Sequence, residues 1–242
     1  MRSGVIGYAM NNAKKGEDVM VRVATSGIFN VKASGPIQLG DFIYKDSRVA
    51  VVTGASKGIG KAIKEALEAE GIKVYDWSRT NGIDLDMAWL DLQHHEQLKE
   101  ADILINNFGG GGTWKPQDYG KVMWRNYGVT KELTELWLKL RRGKAGRMIT
   151  ISSIYGTYPG HNPGFDAAKA AQIIYTKSKA KQHKGKVTFN SISPAEVSDA
   201  GTPKKVKLKA KDVADLVTFL CSNKANRITG QNIVIGEFNN GL

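Results

Sequence analysis

Only one cysteine occurs among the 242 residues, Cys221 in VTFLCSN, which excludes an internal disulfide and suits a reducing compartment. Its neighbours are apolar and no partner histidine is evident, so it reads as a small buried hydrophobe rather than a nucleophile. No run of about 18 apolar residues is present, and no membrane span is expected. The opening MRSGVIGYAM lacks the long apolar stretch of a secretory signal, which makes synthesis in the cytoplasm the expectation. Acidic residues are few beside basic ones, 23 against 35, for a formal charge of +12. Much of that excess lies in KSKAKQHKGK at 177–186 and PKKVKLKAK at 203–211. Such stretches usually form solvated faces or helix ends. Neither carries interleaved aromatics or a reading motif, so nucleic-acid binding is not expected, and no metal site is expected either.

What is present divides near residue 47. Residues 1–47 hold short β-type runs, Val19–Val23, Ile28–Val31 and Phe42–Tyr44, separated by glycine-bearing turns, and predict a small β unit. From residue 48 to 242 apolar strands alternate with helical patterns. The expected strands are 49–52, 73–76, 103–106, 147–152, 187–192 and 232–235. Helices are expected over about 58–70, 88–99, 117–141, 163–183 and 211–222. That alternation predicts an α/β fold, a doubly wound parallel sheet of the Rossmann type, with ligands at the carboxyl ends of the strands.

VVTGASKGIGKAI places Gly54, Ser56, Lys57, Gly58, Ile59 and Gly60 on the turn from the first of these strands into its helix. Gly54 permits a tight turn. Gly58 and Gly60 allow the backbone to approach a pyrophosphate at the helix N-terminus, where free N–H groups and the dipole favour negative charge. With NNFGG at 106–110, RNYGVT at 125–130, ISSIYG at 151–156, FDAAKAA at 165–171, NSISPAEVS at 190–198 and ITGQNIVIG at 228–236, this turn resembles the short-chain dehydrogenase/reductase family over residues 48–242.

The resemblance implies an oxidoreductase that binds a nicotinamide dinucleotide. Asn107 falls in the segment beside the cofactor, and Asp84 and Leu85 match the pair flanking the adenine. Ser78 and Arg79 stand where NAD-binding members usually carry the acid that holds the ribose hydroxyls. Lys57 and Arg79 together suit a 2′-phosphate, so NADP(H) is favoured over NAD(H). In the family a tyrosine transfers the proton, a lysine one turn later lowers its pKa and holds the ribose, a serine orients the carbonyl, and an asparagine fixes a relay water. Carried over, these are Phe165, Lys169, Ser153 and Asn126. Ser153 matches the SxxG pattern through Gly156 and is preferred, although Ser152 has the more usual spacing of 13 residues before Phe165.

Phe165 has no proton to give. A positioned general acid contributes about 10² to 10⁴-fold in rate, so ordinary carbonyl reduction is expected to be crippled unless Tyr155 or Tyr158 substitutes. The segment between Ser198 and Lys211 is short and rich in lysine, a poor provision for a dry substrate pocket. Before residue 48, Gly7, Ala9, Ala13, Gly16, Glu17, Val19, Val21, Gly27 and Phe29, then Gly40, Asp41 and Tyr44, resemble the small β-barrels of phage head-decoration proteins. That resemblance implies a virion component on the capsid surface, with a phage major capsid protein as partner. A β unit this small also implies packing against other surfaces, and a homo-oligomer is expected.

Overall fold

VAVVT at Val49–Thr53 (β5) is buried along its whole length, as expected of a strand covered by helices on both faces. The same continuous burial marks β7 (Ile103–Asn106) and β9 (Val187–Pro194), and nearly all of β8 (Gly146–Ile151). Two partly exposed strands, β6 (Lys73–Trp77) and β10 (Asn232–Ile235), close the edges. The result is a six-stranded parallel sheet in the order β10-β9-β8-β7-β5-β6. Strand order reverses between β5 and β7, which opens a crevice at their carboxyl ends.

This computed structural model describes residues 48–85, 92–110, 115, 118–183, 185–198 and 208–237, together with the backbone of four strands between residues 3 and 46. Two units are present: Met1–Arg48 with Leu67–Lys73, and Val49–Ala66 with Val74–Leu242. The first contains a four-stranded antiparallel sheet of β1 (Ser3–Ala9), β2 (Asp18–Val23), β3 (Gly27–Lys32) and β4 (Phe42–Asp46), ordered β3-β2-β1-β4. Three of these strands coincide with β-type runs in the sequence. The fourth, β1, does not stand out there, because SGVIGYA carries two glycines in a short span, which weakens a strand signal.

In the second unit the helices are α1 (Gly58–Ala69), α2 (Leu92–Glu100), α3 (Tyr119–Met123), α4 (Val129–Arg141), α5 (Pro163–Gln182) and α6 (Ala210–Cys221). Among the described residues no helix is long and apolar enough to cross a membrane. Cys221 is buried at the end of α6. Helix α5 starts where the sequence supplies both signals for it. Asn162 caps it by accepting from the Phe165 N–H at 3.2 Å, and Pro163 occupies the first turn, where its missing N–H costs nothing. The expected single helix over 117–141 is instead interrupted by a π-helical turn at Trp124–Gly128.

The core is anchored by Trp77, Trp137, Phe189, Leu104 and Met148, all fully buried. Trp137 also donates its indole N–H to the Ala101 carbonyl at 2.8 Å. Gly146 packs against that ring, where a Cβ would fall 2.9 Å from it. Trp137→Ala should therefore lose about 3 to 5 kcal/mol, measured as the change in urea midpoint by far-ultraviolet circular dichroism.

Candidate functional site

The glycine turn is held from behind. Thr53 accepts at its hydroxyl from the Asn107 and Phe108 N–H groups, both at 2.9 Å, and its carbonyl accepts from the Asn107 amide at 2.9 Å. The same amide donates to the Gly54 carbonyl at 3.2 Å. Asn107 is thus spent on fixing the shape of the turn. Gly54 and Gly58 adopt left-handed conformations, with φ of 67° and 56°. At Gly60 any Cβ would collide with the Gly54 carbonyl oxygen. Ser56, Lys57 and Gly58 are exposed at the start of α1, and Ile59 is half-buried.

The end of β6 lies against this turn, because the Gly54 N–H donates to the Trp77 carbonyl at 2.8 Å. Directly after it Ser78 is buried and bonded to the Thr80 hydroxyl at 2.9 Å, while Arg79 is exposed. The nearby acid, Asp76, is engaged by Lys64 of α1 at 3.6 Å. Asp84 is exposed, whereas the Leu85 side chain belongs to the hydrophobic core.

Asn126 sits in the π-helical turn and is wholly buried. Its amide donates to the Val122 carbonyl at 2.9 Å and the Gly110 carbonyl at 3.0 Å, and its oxygen accepts from the Gly110 N–H at 3.0 Å. Gly109 passes so close that a Cβ would lie 2.5 Å from that oxygen. The first glycine of the pair in NNFGG is thereby accounted for. The Asn126 main-chain carbonyl accepts in turn from Thr130 at 2.8 Å and from the Gln172 amide of α5 at 2.6 Å. Gln172 also donates to the Thr130 hydroxyl at 2.9 Å. Nothing in the sequence motifs marks Gln172; its only signal is a polar residue one turn beyond Lys169 in a run of small side chains.

The serine pair is separated by geometry. Ser152 is buried, and its hydroxyl donates to the Lys169 carbonyl at 3.0 Å. Ser153 is half-buried, and its hydroxyl accepts from the Tyr155 N–H at 3.3 Å. Gly156 presses on α5 at Lys169, leaving 2.7 Å for a Cβ. Lys169 is 5% exposed and donates to the Ile151 carbonyl at 3.1 Å. Its Nζ lies 5.4 Å from the centre of the Phe165 ring, within range of cation–π attraction. Burial pushes the Lys169 ammonium down to about 7. Tyr155 and Tyr158 are on the loop after Ser153, 42% and 37% exposed.

A glycine turn fixed from behind at the switch point of a parallel sheet, with a buried lysine on the helix after the serine strand, is a family arrangement. The family model for short chain dehydrogenase matches residues 90–210. Acetoacetyl-CoA reductase of Rhizobium meliloti (strain 1021) is 31% identical over 233 residues, covering 77% of this chain and 96% of that enzyme. The chain belongs to the short-chain dehydrogenase family. Among its other relatives, the 3-oxoacyl-(acyl-carrier-protein) reductase FabG of Escherichia coli (strain K12) is 29% identical over 232 residues, covering 78% of this chain and 95% of the relative. In fold it is similar to a short-chain dehydrogenase/reductase family oxidoreductase from Burkholderia thailandensis, with a TM-score of 0.68 at 22% identity over 79% of this chain and 92% of that one. Aldohexose dehydrogenase of Thermoplasma acidophilum gives a TM-score of 0.65 at 24% identity, over 78% and 92%.

Two outcomes test this dehydrogenase-family site. Gln172→Leu removes the donor to the buried Asn126 carbonyl and to Thr130, and should lower stability by about 1 to 3 kcal/mol, read in urea unfolding. Lys169 titrates near 7 in the fold against an ordinary 10.5, so across that window the unfolded chain binds more protons. Stability should therefore rise with pH from about 7 to 10.5, by on the order of a few kcal/mol. In Lys169→Met this rise should be absent, as measured by urea unfolding at a series of pH values.

Proposed function

We propose that the dehydrogenase-fold unit binds a nicotinamide dinucleotide, NADP(H) in preference to NAD(H), and that Phe165 leaves it weakly active or inactive in ordinary carbonyl reduction. The observation that carries this reading is the pairing of Lys169 with a phenyl ring 5.4 Å away. The glycine turn fits the dinucleotide at Gly58, where nothing stands within 4 Å of a Cβ position, while Gly54 and Gly60 lack side chains because these would meet Asn107 and the Gly54 carbonyl, which keeps the turn tight. Gly54, Ser56, Lys57, Gly58, Ile59 and Gly60 would hold its phosphates, and Lys57 and Arg79 would neutralise a 2′-phosphate. Asp84 and Leu85 would border the adenine, Asn107 keeps the turn in shape, and Lys169 would hold the ribose. When bound, the dinucleotide supplies or accepts a hydride.

The remaining roles belong to the chain. Ser153, with Ser152 committed to α5, would orient a carbonyl oxygen. Asn126 fixes the loop after β7 on the opposite wall. The missing element is a hydroxyl on Phe165, whose absence raises the barrier by about 3 to 5 kcal/mol. One observation favours the alternative, an active oxidoreductase with a substitute donor: Tyr155 and Tyr158 stand on the loop after Ser153 with their side chains 42% and 37% exposed.

In this proposal the N-terminal sheet attaches the chain to a phage capsid. Its support is the resemblance in residues 7–44 together with the four-stranded antiparallel sheet; several of the residues that carry the resemblance, including Ala13, Gly16, Glu17, Gly40 and Asp41, lie outside the described ones. Absence of the chain from purified virions would remove the attachment. The shortened segment between Ser198 and Lys211 likewise lies mostly outside the described residues, although its ends are bridged from Ser198 to Lys209.

NADPH binding should be measurable by fluorescence titration, and Arg79→Ala should weaken it more than it weakens NADH binding. With acetoacetyl-CoA, Phe165→Tyr should raise turnover about 10² to 10⁴-fold. Parent turnover at ordinary rates would favour the substitute donor, and failure to bind either nucleotide would end the enzyme reading.

A further inference from the structure

At the opposite end of the sheet from this site, where β8 and β9 begin, the last turns of α4 and α5 border a cavity of about 280 Å³. Leu138 and Val187 supply apolar walls, and Arg141, Lys144, His183 and Lys186 supply the polar ones. Among the described residues no carboxylate lines it. The ammonium of Lys186 reaches to the far side of Gly143, within 3.8 Å of where a Cβ would stand. Arg141 is only 3% exposed. It donates to the Ala101 and Ala145 carbonyls and to Asp102, yet its buried Nε has no acceptor.

Positive charge gathers at this end, on the exposed Lys144 and Lys186 and the buried Arg141. A helix C-terminus carries about half a negative charge, so the ends of α4 and α5 together offset about one cation. Asp102 offsets a second, pairing with Arg141 at 3.3 Å. Arg141, Lys144 and Lys186 are three. Burial pushes the Arg141 guanidinium below its ordinary value, against the opposing attraction of Asp102. A buried donor without an acceptor is likewise a cost that a bound oxygen would remove.

We propose that this cavity is a binding site for a small organic phosphate, its anionic head met by Arg141, Lys144 and Lys186 and its apolar body resting on Leu138 and Val187. The volume suits a single small ligand rather than a dinucleotide. The site is independent of the glycine turn, so its fate does not depend on whether a nicotinamide dinucleotide binds there.

Phenyl phosphate titrated into the full chain, followed by amide nuclear magnetic resonance, tests the proposal. Saturable shifts are expected at residues 138–146 and 182–187, without shifts at 54–60. Lys144→Gln with Lys186→Gln, both at exposed positions, should weaken binding about tenfold or more, equivalent to 1.4 kcal/mol. Inorganic phosphate should bind more weakly than phenyl phosphate. Shifts spread over the surface lysines at large, or unchanged affinity in the double variant, would overturn the site. Equal binding of inorganic phosphate would overturn the organic ligand.

Discussion

The amide of Asn126 holds the dehydrogenase-fold unit in its working shape. Three of its four hydrogen-bonding positions are filled by backbone groups, two of them on Gly110. The loop leaving β7 is thereby joined to the helix that follows as strand joins strand. The main-chain carbonyl of the same residue accepts from Thr130 and Gln172, which carries the constraint across to α5. A regular helix over 119–141 would pass the carbonyl and side chain of residue 126 in other directions. The π-helical turn widens the helix by one residue at this place, a local cost commonly found at functional sites, and turns both toward neighbours that need them.

From that node the rest of the site follows in order. Gly109 must lack a side chain because Asn126 occupies the space. Gln172 fixes the height of α5, and Lys169, one turn earlier, then meets the carbonyl of Ile151 at the end of β8. Ser152 closes the same junction from the other side by donating to the Lys169 carbonyl. Lysine in this position is surrounded by an aromatic ring, a carbonyl and buried side chains, with burial the sole cause of its lowered pKa. A tyrosine hydroxyl would offer it a partner. The phenyl ring at 165 offers only its face, an attraction of about 0.5 to 2 kcal/mol, and so leaves much of the desolvation uncompensated.

How much of this was legible depended on the length of the signal. Strands such as VAVVT and the capped start of α5 carry their cause within five or six residues, and sequence placed them to within two residues. Asn126 was readable as a motif residue, but its hydrogen bonds join positions 110, 122, 130 and 172, and no local pattern encodes such a junction. The π-helical turn escaped for the same reason: WRNYG reads as ordinary helix, and tertiary contacts select the wider turn. Leu85 reads as an edge of the adenine site, and its side chain packs in the core, a burial that the pair Asp84–Leu85 does not signal by itself. Gln172 and Arg141 escaped because a polar side chain in a helix reads as solvated until its face is known.

Taken along their length, α4 and α5 meet through polar side chains as well as apolar ones. Besides the Asn126–Thr130–Gln172 cluster, Thr134 of α4 accepts from Asn106 of β7 at 3.0 Å and Thr176 of α5 is 3.3 Å from the Thr150 hydroxyl of β8, so both helices are also tied to the sheet. Between the helices themselves Glu135 of α4 binds Lys179 at 2.5 Å and Tyr175 at 2.8 Å. An all-apolar seam of the same volume would be at least as stable, since desolvating polar groups offsets most of what their bonds return. Such a seam would also tolerate sliding by a turn, because leucine packs against leucine at many offsets. Each hydrogen bond here has one register in which donor meets acceptor, and a slip leaves several buried groups unpaired at about 1 to 3 kcal/mol apiece. Register is what the site needs, because a shift of α5 along its axis would withdraw Lys169 from the Ile151 carbonyl and from the Ser152 hydroxyl together.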